Sequence, residues 1–110
     1  MILVIGGAYQ GKLTWAVEKF HLRCLCDLAE GFVPDMQCYY HLEAWTKTHE
    51  ALPELPPEAV VISREVGCGI VPMDAEVRAW RERHGQTLRT LAQQSAKVFR
   101  VFCGIGEELK

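Results

Sequence analysis

The sequence predicts a small α/β protein in which helices cover both faces of a mostly parallel sheet, giving three layers. Residues 2–5 (Ile-Leu-Val-Ile) are apolar throughout and too few for a helix, as expected of a strand buried on both faces. Residues 59–63 (Ala-Val-Val-Ile-Ser) form the clearest strand after the first, and segments with helical spacing lie between and after the two. Strands that alternate with helices are joined by right-handed crossovers and become parallel. The 110 residues suffice for one such domain, 1–110.

The first third of the chain predicts a strand, a helix and a second short strand. After the strand at 2–5, apolar residues fall at helical spacing, so a helix should run over about 12–21. These residues are Leu13, Ala16, Val17 and Phe20. A short strand is expected within 22–28, and Gly31 and Pro34 then mark a loop.

The remaining elements are predicted from the spacing of apolar residues and from residues that end or cap helices. A second helix is predicted over 38–52, because Cys38, Leu42, Trp45, His49 and Leu52 alternate by four and three residues. Three prolines between 53 and 57 end it. Asp74 should cap a long third helix whose inner face is Val77, Trp80, His84, Leu88, Leu91 and Ser95. Residues 98–102 read as the last strand.

A glycine-rich loop joins the first strand to the first helix. It matches the phosphate-loop pattern Gly-x-x-x-x-Gly-Lys-[Ser/Thr] at every position except the last. The candidate binding residues are Gly6, Gly7, Ala8, Tyr9, Gln10, Gly11, Lys12, Leu13 and Thr14. Glycines allow successive amide groups to point at phosphate oxygens, the helix adds its positive dipole end, and Lys12 supplies a cation. The sequence therefore predicts a P-loop-type fold that binds ATP or GTP; a glycine-rich turn without a ligand is the alternative.

The last position of the loop departs from the pattern. A hydroxyl normally holds magnesium there, and Leu13 has none. Thr14 lies about 100° further round the helix and does not simply substitute. We therefore predict phosphate binding with weakened magnesium-dependent transfer, and no dedicated metal site.

Ligands of parallel α/β sheets bind beyond the carboxyl ends of the strands. The loops at 6–12, 26–31 and 63–72 should therefore gather at one edge. Asp27 and Glu65 lie in two of these loops, where a carboxylate could hold magnesium through water. A structural role for Glu65, as a hydrogen-bond acceptor for loop amides, is equally compatible with its position.

Residues 65–72 (Glu-Val-Gly-Cys-Gly-Ile-Val-Pro) carry a family resemblance. Together with the glycine loop, the Arg-Ala-Trp-Arg-Glu-Arg-His-Gly run at 78–85 and the end Gly-Ile-Gly at 104–106, this string resembles the adenosylcobinamide kinase/adenosylcobinamide-phosphate guanylyltransferase family of cobalamin biosynthesis. The resemblance covers residues 1–21 and 58–110. It implies a nucleotide and a corrinoid substrate as ligands, catalytic roles for Lys12 and Glu65, and assembly into a homo-oligomer.

The chain also departs from that family. Leu13 replaces a serine, Arg64 replaces an asparagine, and Gln86 and Leu88 stand where arginine and asparagine are usual. The middle is shortened, and nothing matches the family's guanylylated histidine; His41 and His49 are expected to be helix-face or solvated residues. The resemblance therefore implies a cobinamide kinase-like protein without guanylyltransferase activity. A non-catalytic relative acting as a regulatory or oligomer partner, or a phosphate-loop protein acting on another small metabolite, are the alternatives.

Composition limits the other classes of partner. A formal net charge of −2 provides no basic surface for nucleic acid and no polybasic stripe for a membrane. The apolar run at the start is too short for a spanning helix or a signal-peptide core. Five cysteines without framework spacing are expected to be free thiols, so we expect a cytoplasmic protein.

Overall fold

The structure is a computed structural model that describes residues 1–8, 10–66 and 74–110. Its elements, in chain order, are β1 (Ile2–Gly6), α1 (Lys12–Phe20), β2 (Leu25–Asp27), β3 (Cys38–Tyr40), α2 (Leu42–Thr48), β4 (Val60–Arg64), α3 (Ala75–Gln94), β5 (Lys97–Phe102) and β6 (Ile105–Glu108). No helix within the described ranges combines the length and the apolar character that a bilayer crossing requires.

The six strands form one sheet in the order β2-β3-β4-β1-β5-β6. The strands from β2 to β5 are parallel, and β6 alone pairs antiparallel, with β5. The apolar strand β1 lies between β4 and β5, and its Leu3 and Val4 are fully buried. A strand with neighbours on both sides and helices on both faces has no exposed position, which explains its uninterrupted apolar sequence.

Two hydrophobic cores, one on each face of the sheet, lie between the sheet and its helices. Leu3 packs on one face with Leu42 of α2 and Leu91 of α3, whereas Val4 packs on the other with Ala16 of α1. Successive side chains of a strand point to opposite faces, so neighbouring residues of β1 enter different cores. The three-layer α/β fold predicted from the sequence is confirmed.

The third helix begins as its sequence predicts. The Asp74 carboxylate accepts hydrogen bonds from the backbone N–H groups of Glu76 and Val77, which caps the first turn of α3. His84 and Leu91 are buried on its inner face, and Ser95 is buried just after its end. Helical spacing therefore identified the packed stripe of this helix correctly.

The prediction of a helix from residue 38 is wrong. Cys38 and Tyr39 are fully buried in strand β3, which lies between β2 and β4, and the helix starts only at Leu42. Buried residues at 38 and 42 imitate one helical stripe although they belong to two elements, because spacing alone does not show where a strand gives way to a helix.

The hairpin at the end of the chain was not predicted either. Phe102 pairs with Ile105, leaving Cys103 and Gly104 as a two-residue turn in which both residues have positive φ, 52° and 74°. Turns of this kind match the twist of antiparallel strands. The short strand β6 that follows contains Gly106, a residue that disfavours strands on propensity alone.

Candidate functional site

A cavity of about 410 Å³ opens at the carboxyl edge of the sheet. The glycine loop and the first turn of α1 form one wall, including Lys12, Leu13 and Thr14. His41, at the end of β3, and Glu43, in the first turn of α2, form another, with Arg64 from the end of β4 between them. Of the three loops expected to gather here, 6–12 borders the cavity and 63–72 does so through Arg64, whereas 26–31 contributes no lining residue and the end of β3 lies there instead.

The glycine loop is anchored to its neighbours by close packing and by hydrogen bonds. A side chain at Gly6 would place its Cβ 2.5 Å from the Val101 carbonyl oxygen, so this position requires glycine. The Gln10 side-chain oxygen accepts a hydrogen bond from the Cys103 N–H at 2.7 Å, and its backbone oxygen accepts one from the Gly104 N–H at 2.8 Å. The β5–β6 turn thus supports the loop, whereas Tyr9 lies outside the described residues.

The start of α1 presents backbone donors to the cavity. Gly11 is the N-cap, with φ 79°, and in the described part of the chain no side chain caps the first-turn N–H groups. These groups carry the positive end of the helix dipole, which favours an anion. Because residues 11–14 border the cavity, an anionic group placed there would meet these donors.

Lys12 is held within the loop. Its Nζ donates a hydrogen bond to the Gly7 carbonyl oxygen at 2.8 Å. Burial lowers the pKa of this lysine, Arg64 lowers it further, and the carboxylates of Glu43 and Glu65 oppose the shift. A partly desolvated ammonium that can exchange a carbonyl for a phosphate oxygen suits the lysine of a phosphate loop.

Glu65 lies beside the loop and does not border the cavity. Its N–H donates to the Gly6 carbonyl oxygen at 2.9 Å, and its carboxylate oxygen lies 3.5 Å from Arg100 Nε. Residue 65 therefore ties the end of β4 to β1 and to β5. The described contact of the Glu65 carboxylate is with Arg100 and not with the loop amides, and its charge acts on Lys12. The rest of the string, residues 67–72, lies outside the described residues.

The carboxylate that does border the cavity is Glu43, which sequence reasoning missed. Its Oε1 accepts a hydrogen bond from the Arg64 N–H at 2.8 Å, which holds the start of α2 against the end of β4. Recognising it required strand β3: once Tyr40 ends a strand, the residues that follow lie on the ligand edge.

Asp27 and His41 form a pair at the same edge. Their ring and carboxylate meet at 2.8 Å between His41 Nδ1 and Asp27 Oδ1, and His41 borders the cavity. The expectation for His41 was a helix-face or solvated residue; it is half-exposed but precedes α2 as its N-cap. His49, by contrast, stacks on Trp45 with ring centroids 3.7 Å apart.

The described residues do not build a magnesium site by themselves. Among them no group of three or more His, Cys, Asp or Glu side chains could hold a metal ion. Asp27 is engaged by His41 and Glu65 by Arg100. Leu13 and Thr14 both border the cavity, so the threonine hydroxyl follows one residue after the position where the pattern has one. A magnesium ion here would depend on ligands that a nucleotide brings with it.

A buried hydrogen-bond network supports this edge from behind. His84 Nδ1 lies 2.7 Å from Thr46 Oγ1, and its Nε2 lies 2.9 Å from Ser63 Oγ and 3.2 Å from the Arg64 carbonyl oxygen. These contacts join α3, α2 and the end of β4. Burial lowers the pKa of His84, which favours the neutral imidazole.

Comparison with known proteins places the chain in a family. A family model described as cobinamide kinase / cobinamide phosphate guanyltransferase matches residues 22–109. The chain belongs to this family. Membership gives it a role in cobalamin biosynthesis of the cobinamide kinase/guanyltransferase kind. No curated protein matches the chain well enough to be counted as a relative.

The extent of this family match adds two points. It includes residues 22–57, the shortened middle that the resemblance in motifs left out, and with them β3 and α2. It begins after the glycine loop, so the phosphate-loop pattern at 6–13 is evidence independent of the match. The glycine loop and the matched region line the same cavity, and each forms one of its walls.

Proposed function

We propose that this member of the cobinamide kinase/guanyltransferase family binds ATP or GTP in the cavity and transfers the terminal phosphoryl group to a corrinoid substrate. The observation that carries the proposal is the position of Lys12. Its ammonium is held on the Gly7 carbonyl oxygen at the mouth of a glycine loop, beside the first-turn amides of α1. Amides, a helix dipole and a lysine are the groups that hold nucleotide phosphates in phosphate-loop proteins.

Phosphoryl transfer depends mainly on positioning and on the neutralisation of charge. In this proposal the loop amides and Lys12 neutralise the oxygens of the terminal phosphates, and Arg64 adds a second cation at the cavity wall. Glu43 fixes the Arg64 backbone and gives the opposite wall a carboxylate. A bound magnesium ion would supply further neutralisation, with Glu43 the described carboxylate in a position to contact its waters.

This proposal includes neither homo-oligomer formation nor guanylyl transfer, the other half of the family's activity.

A second candidate function, a nucleotide-binding partner without turnover, is favoured by one observation: Leu13 borders the cavity where a hydroxyl would contact the metal. Both candidates require nucleotide binding, so the tests of binding and turnover are separate.

Thermal unfolding with ATP or GTP, with and without magnesium, tests binding. At a ligand concentration about 100-fold above Kd, binding to the folded state alone stabilises by about 2.7 kcal/mol. Lys12→Ala should abolish the increase in Tm. The matched control is Lys19→Ala, which removes a lysine of the same helix that lies over the Phe99 ring, away from the cavity. No increase in wild-type Tm with either nucleotide would refute the proposal.

Turnover with adenosylcobinamide then separates the two candidates. Release of nucleoside diphosphate that depends on the corrinoid and is lost in Lys12→Ala supports the kinase. A wild-type protein that binds nucleotide through Lys12 but releases no diphosphate supports the non-catalytic partner.

A further inference from the structure

His41, which is paired with Asp27, borders a part of the cavity to which the proposed function has assigned no chemistry. The two residues end neighbouring parallel strands: Asp27 is the last residue of β2 and is in register with Tyr40, the last residue of β3. His41 follows directly. The pairing of β2 with β3 therefore brings a carboxylate and an imidazole together at the ligand edge.

The pair faces the phosphate loop across the cavity. Strand β3 is separated from β1 by β4 alone, and neighbouring strands lie about 4.8 Å apart, so the ends of β1 and β3 are about 10 Å from each other. That span accommodates a phosphoryl group on the loop and an acceptor hydroxyl beyond it. Lys12 and His41 border the same space from its two sides.

The hydrogen bond to Asp27 determines which ring nitrogen of His41 can react. A carboxylate only accepts, so Nδ1 carries the proton and its N–H donates a hydrogen bond to Oδ1 at 2.8 Å. No described residue forms a hydrogen bond with Nε2, so the lone pair of this nitrogen is available to accept a proton. Oδ1 also accepts the Ala29 N–H at 2.9 Å, and this second bond fixes the carboxylate.

The backbone of His41 is held in an unfavourable conformation. Its φ is 61°, in the left-handed region that non-glycine residues seldom adopt. Such conformations cluster at functional sites. The edge of the Tyr40 ring also packs on the imidazole, with centroids 4.8 Å apart. Backbone, carboxylate and aromatic ring together fix the direction of the imidazole.

We propose that His41 is the general base of the phosphoryl transfer and that Asp27 is its positioning residue. This inference rests on the proposed function. The proton of the acceptor hydroxyl moves to His41 Nε2 while the acceptor oxygen bonds to the terminal phosphorus. The bond from that phosphorus to the bridging oxygen breaks, and the nucleoside diphosphate leaves with the electron pair. Asp27 stabilises the imidazolium, which then returns its proton to water.

The test compares two histidines that undergo the same substitution. His41→Asn keeps a residue that tolerates positive φ, so the fold is preserved while the base is lost. We expect kcat for nucleoside diphosphate release to fall about 100-fold or more, with the nucleotide-induced increase in Tm unchanged. His49→Asn is the control, because His49 lies outside the cavity and should retain the wild-type kcat.

Chemical rescue distinguishes a base from a structural side chain. In His41→Gly the positive φ is retained and the ring is removed, so added imidazole should restore part of kcat. Imidazole should not restore Lys12→Ala, which lacks a phosphate contact. Asp27→Asn should lower kcat without changing KM for the nucleotide, because it leaves the base present but poorly oriented.

Three outcomes would overturn the assignment. If the wild-type protein turns over and His41→Asn retains its kcat, the general-base role fails and the proposed kinase stands. If the wild-type protein binds nucleotide without turnover, the general-base role and the proposed kinase activity are both refuted. If GTP labelled in its α-phosphate leaves an acid-labile label on the wild-type protein that His41→Asn lacks, His41 is a nucleophile and the general-base role is wrong.

Discussion

The acid sensitivity of the fold should depend on His84. Its imidazole is fully buried, and its polar contacts with the described residues are all to neutral groups: the hydroxyls of Thr46 and Ser63 and the carbonyl of Arg64. Trp80 Nε1 donates to Thr46 Oγ1 at 3.1 Å, and the Thr46 hydroxyl in turn lies within hydrogen-bond distance of both His84 Nδ1 and the Glu43 carbonyl oxygen. The network is complete with a neutral ring.

The size of this pH effect on the free energy of unfolding follows from the difference in proton binding between the folded and unfolded states. Burial lowers the pKa of His84 in the folded state from its ordinary value of 6.5. As the pH falls through 6.5, the pKa of histidine in the unfolded chain, the unfolded chain binds a proton that the folded protein does not. The free energy of unfolding therefore decreases progressively below that pH. From about pH 7 to about pH 5.5 this histidine alone should remove at most about 1.3 kcal/mol from the free energy of unfolding.

The assay is urea unfolding at a series of pH values. His84→Gln, which retains a polar side chain for the network, should have a shallower pH dependence than the wild-type protein. The matched control is His49→Gln, the same substitution at an exposed histidine, which should leave the wild-type dependence in place. If His84→Gln loses stability between those pH values as steeply as the wild type does, or if NMR finds the His84 ring protonated in the folded protein at pH 6, the argument fails.

Substitutions at three further positions test the packing around the site and along α3. Gly6→Ala should cost about 1–3 kcal/mol in urea unfolding, because the new Cβ would lie 2.5 Å from the Val101 carbonyl oxygen; an unchanged midpoint would contradict this. Gly85→Ala should instead stabilise by about 0.5–1 kcal/mol, since its Cβ meets nothing within 4 Å and glycine disfavours a helix interior. Asp74→Ala should cost about 1 kcal/mol by removing the cap of α3, whereas Asp74→Ser should retain most of the stability, and equal loss in both would argue against capping.

The elements that could be predicted are those whose signal is local. The apolar run of β1, the spacing of α1 and the cap at Asp74 each depend on a few neighbouring residues, and all three are present in the structure. The boundary between β3 and α2 was not predictable in this way. It depends on Tyr39 being buried between β2 and β4, which no local pattern shows.

The same distinction applies to the site. The phosphate-loop pattern made Lys12 a candidate because glycines and a lysine at fixed spacing are sufficient to recognise it. Glu43 and His41 had no such signal, since their place on the ligand edge depends on a three-residue strand and on a pair with Asp27 fourteen residues away. Glu65 lay in a recognisable string, but its contact with Arg100 of β5 is a tertiary fact.

By itself the sequence determined the class of fold and the family, and it supplied a glycine-rich loop that matches the phosphate-loop pattern, because each is encoded in contiguous runs of residues. The tertiary structure alone decided which side chains share the cavity with Lys12. Parallel pairing aligns the carboxyl ends of strands that are far apart in the chain, so Asp27, His41, Glu43 and Arg64 become neighbours only when the sheet has formed.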